Sequence, residues 1–272
     1  MSIEELTLKK ERLGSILRRF TRLGVAFSGG VDSSLLLAVA RQILGSGVTA
    51  LTADSPIHPA VDTALAKQIA NRLGVHQIIF RGDEMKDPEF LRNSPERCYW
   101  CKKRLIAVMR AEASGVGVTA LVHGANLDDL SDFRPGLEAA REAGVTAPLM
   151  EAGLTKSEIR TWARELGLPN WDRPAGACLA TRIPYGSPID PGSLERIEQA
   201  ESLIRSLGVA SCRVRHFGAL ASIETDDAEI ARLAMAPMRS RILDGLRALG
   251  YAQVCLDLEG YVSGKMNRVL KG

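Results

Sequence analysis

Phe27-Ser28-Gly29-Gly30-Val31-Asp32-Ser33-Ser34 lies between Val25-Ala26-Phe27, a short apolar run that reads as a buried strand, and Leu35-Leu36-Leu37-Ala38-Val39-Ala40, which reads as the start of a buried helix. A strand that turns through Gly-Gly into a helix gathers backbone N–H groups and the positive end of the helix dipole at one point, and that point suits an anion. The two glycines admit backbone geometries closed to other residues and let a phosphate approach the main chain, while Ser28, Ser33 and Ser34 add hydroxyl donors. A bare phosphate would repel Asp32, so this carboxylate is expected to hold Mg²⁺ or to cap the helix. No Lys stands where a Walker loop requires one.

Further along, Val48–Ala53, Gln77–Phe80 and Ala120–His123 read as strands, Pro59–Leu73 and Glu138–Ala143 as helices, and Leu105–Ala113 as part of another helix. Strands alternating with helices predict an α/β fold with a doubly wound parallel sheet and ligands at the strands' carboxyl ends. Asp54-Ser55-Pro56, Gly124-Ala125-Asn126 and the acidic, turn-rich Leu127–Gly136 then border one cleft. Ala147–Leu149 reads as extended, and Thr155 with Glu158 as a capping box opening a helix to about Leu166, with Trp162 in the core. Ser2 with Glu5 reads as another capping box, on an N-terminal amphipathic helix.

The stretch from Pro169 to Pro191 carries five prolines and reads as loop, yet it holds Cys178, Arg182 and Tyr185. Ile189–Gly192 looks like a hinge, which places the domain boundary at 188/189. The remainder predicts a smaller C-terminal α+β domain: a helix from Ser193, strands at Ser211–Phe217 and Ala219–Thr225, two helices, and a strand at Gln253–Leu258. Arg213 and Arg215 stand two apart on one strand, so they share a face. Two guanidinium forks on one face suit a phosphate or carboxylate, although two solvated arginines would look the same in sequence.

Net charge is +3, from 35 Lys and Arg against 32 Asp and Glu, and only 5% of residues are aromatic. Neither figure argues for a nucleic-acid partner. The 46% hydrophobic content is ample for a sizeable core, and no run has the length and apolarity of a membrane span. A soluble, cytoplasmic protein without a membrane partner is expected. Five cysteines in such a chain are not a disulfide framework. Cys98-Tyr99-Trp100-Cys101 has no second pair to complete a zinc site. With Cys178 it makes three thiolates, enough to hold a [4Fe-4S] cube with one open iron; Cys178 acting alone is the alternative. Cys212 and Cys255 fall in predicted strands and read as core.

Ser28-Gly29-Gly30-Val31-Asp32-Ser33 resembles the PP-loop of the ATP pyrophosphatase superfamily, whose members adenylate a substrate at the expense of ATP. More specifically, Gly24–Ser33, Gly124–Asp129 with Arg134-Pro135-Gly136, Pro174–Gly186, Arg213–Gly218 and Asp257–Tyr261 with Ser263-Gly264 and Met266-Asn267 together resemble the LarE family of ATP-dependent sulfur transferases. The match spans nearly the whole chain. It implies a PP-loop ATP-binding domain over 1–188 and a substrate-binding and oligomerisation domain over 189–272, with a homo-oligomer as the assembly. It also implies that ATP, with Mg²⁺, adenylates the carboxylates of a pyridinium-3,5-dicarboxylate mononucleotide. Sulfur then displaces AMP to give thiocarboxylates, on the way to the nickel-pincer nucleotide cofactor of lactate racemase.

In that family sulfur comes either from one sacrificed cysteine, which becomes dehydroalanine, or through a [4Fe-4S] cluster on three cysteines. Cys98, Cys101 and Cys178 favour the cluster type here, with the sulfur donor undetermined, and Cys178 sits at the sacrificial position. The resemblance assigns the ATP phosphates to Ser28, Gly29, Gly30, Asp32 and Ser33, and the nucleotide pocket to Ser55, Gly124 and Asn126. Arg213 and Arg215 would take the substrate phosphate, with Arg182 in the cleft and Glu201 and Glu224 near that site. Asp129 is a cleft residue without an assigned role. A tRNA thiolase and an amide-forming ATP-dependent ligase are the competing readings; a nucleotide sensor is the non-enzymatic one.

Overall fold

The structure, a computed structural model, describes residues 3–131, 134–174, 176–262 and 264–270. Ser2 of the first capping box lies outside the described residues, as do Asp132, Phe133, Ala175 and Ser263 of the motifs quoted above. In chain order the elements are α1 (Ile3–Leu17), β1 (Leu23–Ala26), α2 (Val31–Leu44), β2 (Val48–Asp54), α3 (Ala60–Leu73), β3 (His76–Arg81), α4 (Pro88–Leu91), α5 (Arg97–Ser114), β4 (Ala120–His123), α6 (Pro135–Glu142), α7 (Pro148–Glu151) and α8 (Lys156–Glu165). Then follow α9 (Pro191–Ser206), β5 (Cys212–Phe217), β6 (Leu220–Thr225), α10 (Asp227–Ala234), α11 (Met238–Ala248) and β7 (Gln253–Leu256). They fall into two compact units, Met1–Asp87 with Glu96–Gly176, and Pro88–Pro95 with Ala177–Gly272.

The first unit is the predicted α/β fold. Its four strands pair in the order β3-β2-β1-β4, all parallel. The pleat sends Leu23, Val25, Val48, Ala50 and Val122 to one face, against α1, α2, α3 and α8. The alternate residues Leu51 and Leu121 go to the other face, with Phe80, against α5 and α6. A sheet buried on both faces needs apolar residues at consecutive positions, which is why these strands read as runs rather than as alternations. Trp162 is buried, and α8 opens with the predicted capping box, Glu158 accepting from the Thr155 N–H at 2.8 Å. Lys9 Nζ of α1 reaches the same Glu158 at 2.7 Å.

One local expectation changes here. Pairing with β4 stops at Thr146, whose N–H donates to Leu121 O at 3.3 Å; Pro148 then opens the short helix α7 where an extended segment was expected, because its fixed φ suits a first helical position. The helix read in part at Leu105–Ala113 begins at Arg97, so Cys98 and Cys101 sit within its first five residues.

The second unit pairs β5 antiparallel with β6 and β6 parallel with β7, and packs α9, α10 and α11 against that sheet. Its chain starts at Ala177, before the expected 188/189 boundary, and takes in 88–95. The reason is Asn93, at φ 55, whose buried amide donates to the carbonyls of Ile183, Pro184 and Ser187 at 3.3, 2.8 and 2.8 Å. That one side chain satisfies the backbone of the proline-rich strap. The expected hinge at 189–192 is instead a helix start: Asp190 caps α9, accepting from Ser193 N at 2.9 Å, with Pro191 as first helical residue. Cys212 is core, and burial pushes its thiol up to about 12. Cys255 is exposed, contrary to expectation, because among the described residues β7 pairs with β6 alone and its pleat turns Gln253 and Cys255 outward.

Two outcomes test this arrangement. A Cβ at Gly124 would lie 2.8 Å from Ser33 N and 3.1 Å from Ser33 Cα, so Gly124→Ala must push the start of α2 away; we expect thermal melting to show a loss of about 1–3 kcal/mol. Glu84 is only 1% exposed, neither carboxylate oxygen has a hydrogen-bond partner among the described residues, and burial raises its pKa above the usual carboxylate range. The folded state therefore favours the protonated acid, and stability falls as pH rises through that elevated value. Glu84→Gln should melt above the wild type at pH 8, the gap closing below about pH 4.3, where the carboxyl is neutral in both states; a gap independent of pH would refute the assignment.

Candidate functional site

β1 ends at Ala26, Phe27 stays in register through its N–H to Leu51 O at 2.8 Å, and the chain then turns at Ser28-Gly29-Gly30 into α2. Gly29 has φ 74 and lies against α3, where a Cβ would meet Ala66 N at 3.0 Å; only glycine fits both constraints. Gly30 is the N-cap residue and brings no capping side chain, so the first N–H groups of α2 are left for an incoming acceptor. Ser33 Oγ donates to Gly30 O at 3.0 Å and lies 3.3 Å from Ser28 Oγ, drawing both hydroxyls to the turn. Gly124, at the end of β4, comes close enough to touch the α2 backbone.

Asp32 neither caps α2 nor stands alone. Its carboxylate pairs with Lys156 Nζ and accepts from Asn126 Nδ2 at 3.4 Å. Asn126 is held in turn: its N–H donates to Asp129 Oδ2 at 3.0 Å, and its Oδ1 accepts from Asp128 N at 3.0 Å. Asp129, which had no role in sequence, thus orders the loop after β4 and pairs with Arg134 at 2.9 Å. Asp128 accepts from Lys156 N at 2.8 Å. Lys156 was missed; its only sequence signal is its place just after the capping Thr155.

Ser55, at the end of β2, is buried, and its hydroxyl faces Ile57 N at 3.4 Å. A second missed residue, Asn170, is buried with its amide on Gly29 O at 2.7 Å and Ser34 Oγ at 2.9 Å.

The N-terminal part of α5 brings Lys102 near Cys98 and Cys101. Burial pushes the Lys102 ammonium down, the two thiols pulling the other way. Burial also lowers His123, to about 4, with the Lys102 charge adding to it, and lowers His58, so both imidazoles are neutral at pH 7. Among the described residues no group of three or more His, Cys, Asp or Glu side chains is arranged to hold a metal ion. The three expected cluster ligands are divided, Cys98 and Cys101 in the first unit and Cys178 in the second.

In the second unit Cys178 is half-buried and precedes a single 3₁₀ turn. Its carbonyl accepts from Thr181 Oγ1 at 2.8 Å, Thr181 N at 3.0 Å and Arg182 Nη1 at 3.3 Å, so the backbone beside the thiol is pinned. Arg182 is buried and forks onto Glu201, Nε to Oε1 at 2.7 Å and Nη2 to Oε2 at 3.1 Å. Arg215 is buried as well, with Nη2 on Glu224 Oε2 at 2.7 Å and Nη1 on Thr181 O at 2.7 Å, while its Nε has no partner among the described residues. Arg213 stacks over Tyr261 at 4.0 Å. Burial, then the Arg182 and Arg215 cations, push the Arg213 guanidinium down. Arg182 and Arg215 are thus each paired with a buried carboxylate, and Arg213 lies close enough to both cations to feel their charge.

The comparisons agree with this geometry. Residues 13–108 match the asparagine synthase family. An uncharacterized protein of Synechocystis sp. is 38% identical over 265 residues, 97% of this chain and 99% of that protein. The pyridinium-3,5-bisthiocarboxylic acid mononucleotide synthase of Lactiplantibacillus plantarum is 35% identical over 266 residues, 97% of this chain and 96% of that protein. A glutamine-hydrolyzing GMP synthase of Aeropyrum pernix is 27% identical over 204 residues, 66% of this chain but 38% of that protein. A glycine-shaped anion turn at the end of β1, a polar cleft at the strand ends and near full-length identity to the Lactiplantibacillus synthase place this chain in the LarE family of PP-loop proteins.

Proposed function

We propose that this chain is an ATP-dependent, AMP-forming sulfur transferase that converts the carboxylates of pyridinium-3,5-dicarboxylate mononucleotide to thiocarboxylates. The observation that carries the reading is the 35% identity to the Lactiplantibacillus synthase over 97% of the chain, with the anion turn intact.

Activation is assigned to the first unit. The N–H groups at the start of α2, with Ser28 and Ser33, bind the phosphates of ATP, and Gly124 keeps the strand end clear of them. Ser55 and Asn126 line the nucleotide pocket. Lys156 sets Asp32 from one side and Asn126 from the other. Magnesium takes hard oxygen ligands, and Asp32, with the ATP phosphates, supplies that donor type; the bound ion neutralises phosphate charge. A substrate carboxylate oxygen attacks the α-phosphorus, the bond to the β-phosphate breaks, and pyrophosphate leaves.

Sulfur delivery and phosphate recognition are assigned to the second unit. The Cys178 thiolate attacks the acyl carbon of the adenylate, and AMP departs with the electron pair of the broken C–O bond. Loss of the Cys178 Cα proton to a base then breaks its Cβ–Sγ bond, releasing the thiocarboxylate and leaving dehydroalanine. Arg213 and Arg215 receive the substrate phosphate, with Arg182 holding the Cys178 turn.

The cluster route would need Cys98, Cys101 and Cys178 on one cube. Among the described residues no three-ligand group gathers for such a cube. Phe217, Met235 and Leu258, exposed at 50%, 68% and 87%, offer apolar surface on the second unit for the proposed homo-oligomer.

Purified protein given ATP, Mg²⁺ and the dicarboxylate mononucleotide should release pyrophosphate and AMP and form the thiocarboxylate, each chain losing one H₂S in mass. Cys178→Ala should keep substrate-dependent ATP–pyrophosphate exchange while thiocarboxylate formation vanishes; sulfur transfer by that variant, or turnover with tRNA instead of the nucleotide, refutes the proposal. The arginines should separate. Arg213→Ala raises KM for the mononucleotide about tenfold or more with little change in melting, whereas Arg182→Ala leaves buried Glu201 to Arg205 at 3.4 Å and the Val214 N–H at 3.1 Å and lowers stability by about 3 kcal/mol. Equal effects from the two variants on both readouts would count against this division.

A further inference from the structure

A Gly-Gly turn that admits a phosphate has a weakness built into it. The peptide between Gly29 and Gly30 is flanked by two residues without Cβ, so little hinders its rotation as a plate. In a trans peptide the carbonyl of one residue and the N–H of the next point to opposite sides. Rotating this plate would swap the Gly30 N–H for the Gly29 carbonyl oxygen, replacing a donor with a lone pair at the anion site.

Asn170 opposes that rotation. It is 2% exposed, and its Nδ2 donates to Gly29 O at 2.7 Å and to Ser34 Oγ at 2.9 Å. A carbonyl can only accept, so the amide nitrogen must face Gly29. With the Gly29 oxygen held on the Asn170 side, the Gly30 N–H points the other way, toward Ser28 Oγ at 3.3 Å. Asn170 Oδ1 is buried with no partner among the described residues, so this side chain is kept in place by its donor end alone.

The backbone carrying Asn170 is itself strapped down. Arg160 of α8 donates from Nη1 to Trp171 O at 3.2 Å and from Nη2 to Arg173 O at 2.8 Å, and Arg173 Nη2 reaches Asp62 Oδ1 in the first turn of α3 at 2.6 Å. A fixed support behind a single amide is the arrangement a positioning residue needs.

We propose that Asn170 is a positioning residue for ATP: it locks the Gly29–Gly30 peptide with its N–H, rather than its carbonyl oxygen, on the side of Ser28, where the phosphates bind. This rests on the ATP-binding part of the function proposed above. It adds a residue outside the loop motif that decides whether the loop is in its binding state.

Binding of ATP with Mg²⁺ to the full chain, measured by calorimetry without any sulfur transfer, tests the assignment. Asn170→Ala should weaken ATP about tenfold or more relative to wild type, as expected for loss of a buried donor. Asn170→Asp keeps the shape but donates only when protonated, so its deficit should shrink as pH falls from 8 to 5.5, while that of Asn170→Ala stays flat. A purely structural role would not produce that divergence. Melting curves confirm that the variants are folded; if Asn170→Ala is not, the pH series on the near-isosteric Asn170→Asp decides. Affinities within about twofold of wild type, or an Asp variant whose deficit ignores pH, overturn the inference while leaving the sulfur-transferase reading intact. A wild type that does not bind ATP overturns both.

Discussion

The close approach of two backbones at the start of α2 governs the first unit. β4 ends at Gly124 against Ser33, and α3 passes Gly29 at Ala66, so the phosphate-binding turn is pressed from two sides where a Cβ would intrude. Such crowding positions the helix N-terminus at the carboxyl edge of the sheet, where partial charge from the peptide dipoles is least opposed by water. It also explains why the polar residues nearby hold one another rather than cap the helix. Asn126, Asp128, Asp129 and Lys156 form a chain of contacts that ends on Asp32 and orients its carboxylate.

The second unit solves a different problem, that of keeping several cations together in low dielectric. Arg182 and Arg215 are stabilised by Glu201 and Glu224, each buried, and their guanidinium groups also donate to carbonyls on either side of Cys178, those of Ala177 and Thr181. Burying one arginine beside two others without those carboxylates would cost more than the attraction returns. The carboxylates thus do not compete with a bound phosphate so much as allow the arginines to be buried at all. Arg213 lays its guanidinium on the Tyr261 ring.

Several features are legible in the chain of residues because each rests on local chemistry. The Gly-Gly turn, the strand runs of a doubly buried sheet, the Thr155–Glu158 capping box and the Arg213/Arg215 spacing are all properties of a few adjacent residues. The errors share one cause. Ala147–Leu149, the Ile189–Gly192 stretch and Cys255 each depend on what lies beside them in space: a pairing that stops, an aspartate that caps, an edge strand paired on one side. Asn93 moved the boundary between the units by satisfying three carbonyls about 90 positions downstream.

By itself the sequence determined the α/β class, the anion turn at the end of β1 and the set of thiols and arginines available for chemistry, since periodicity and glycine placement are written in neighbouring residues. Only the tertiary structure decided what those groups do to one another. Lys156 meets Asp32 across 124 positions, and Asn170 meets Gly29 across 141. Contacts between such distant positions follow from how helices dock on a sheet, and the side chains making them carry no local periodicity that would announce the pairing.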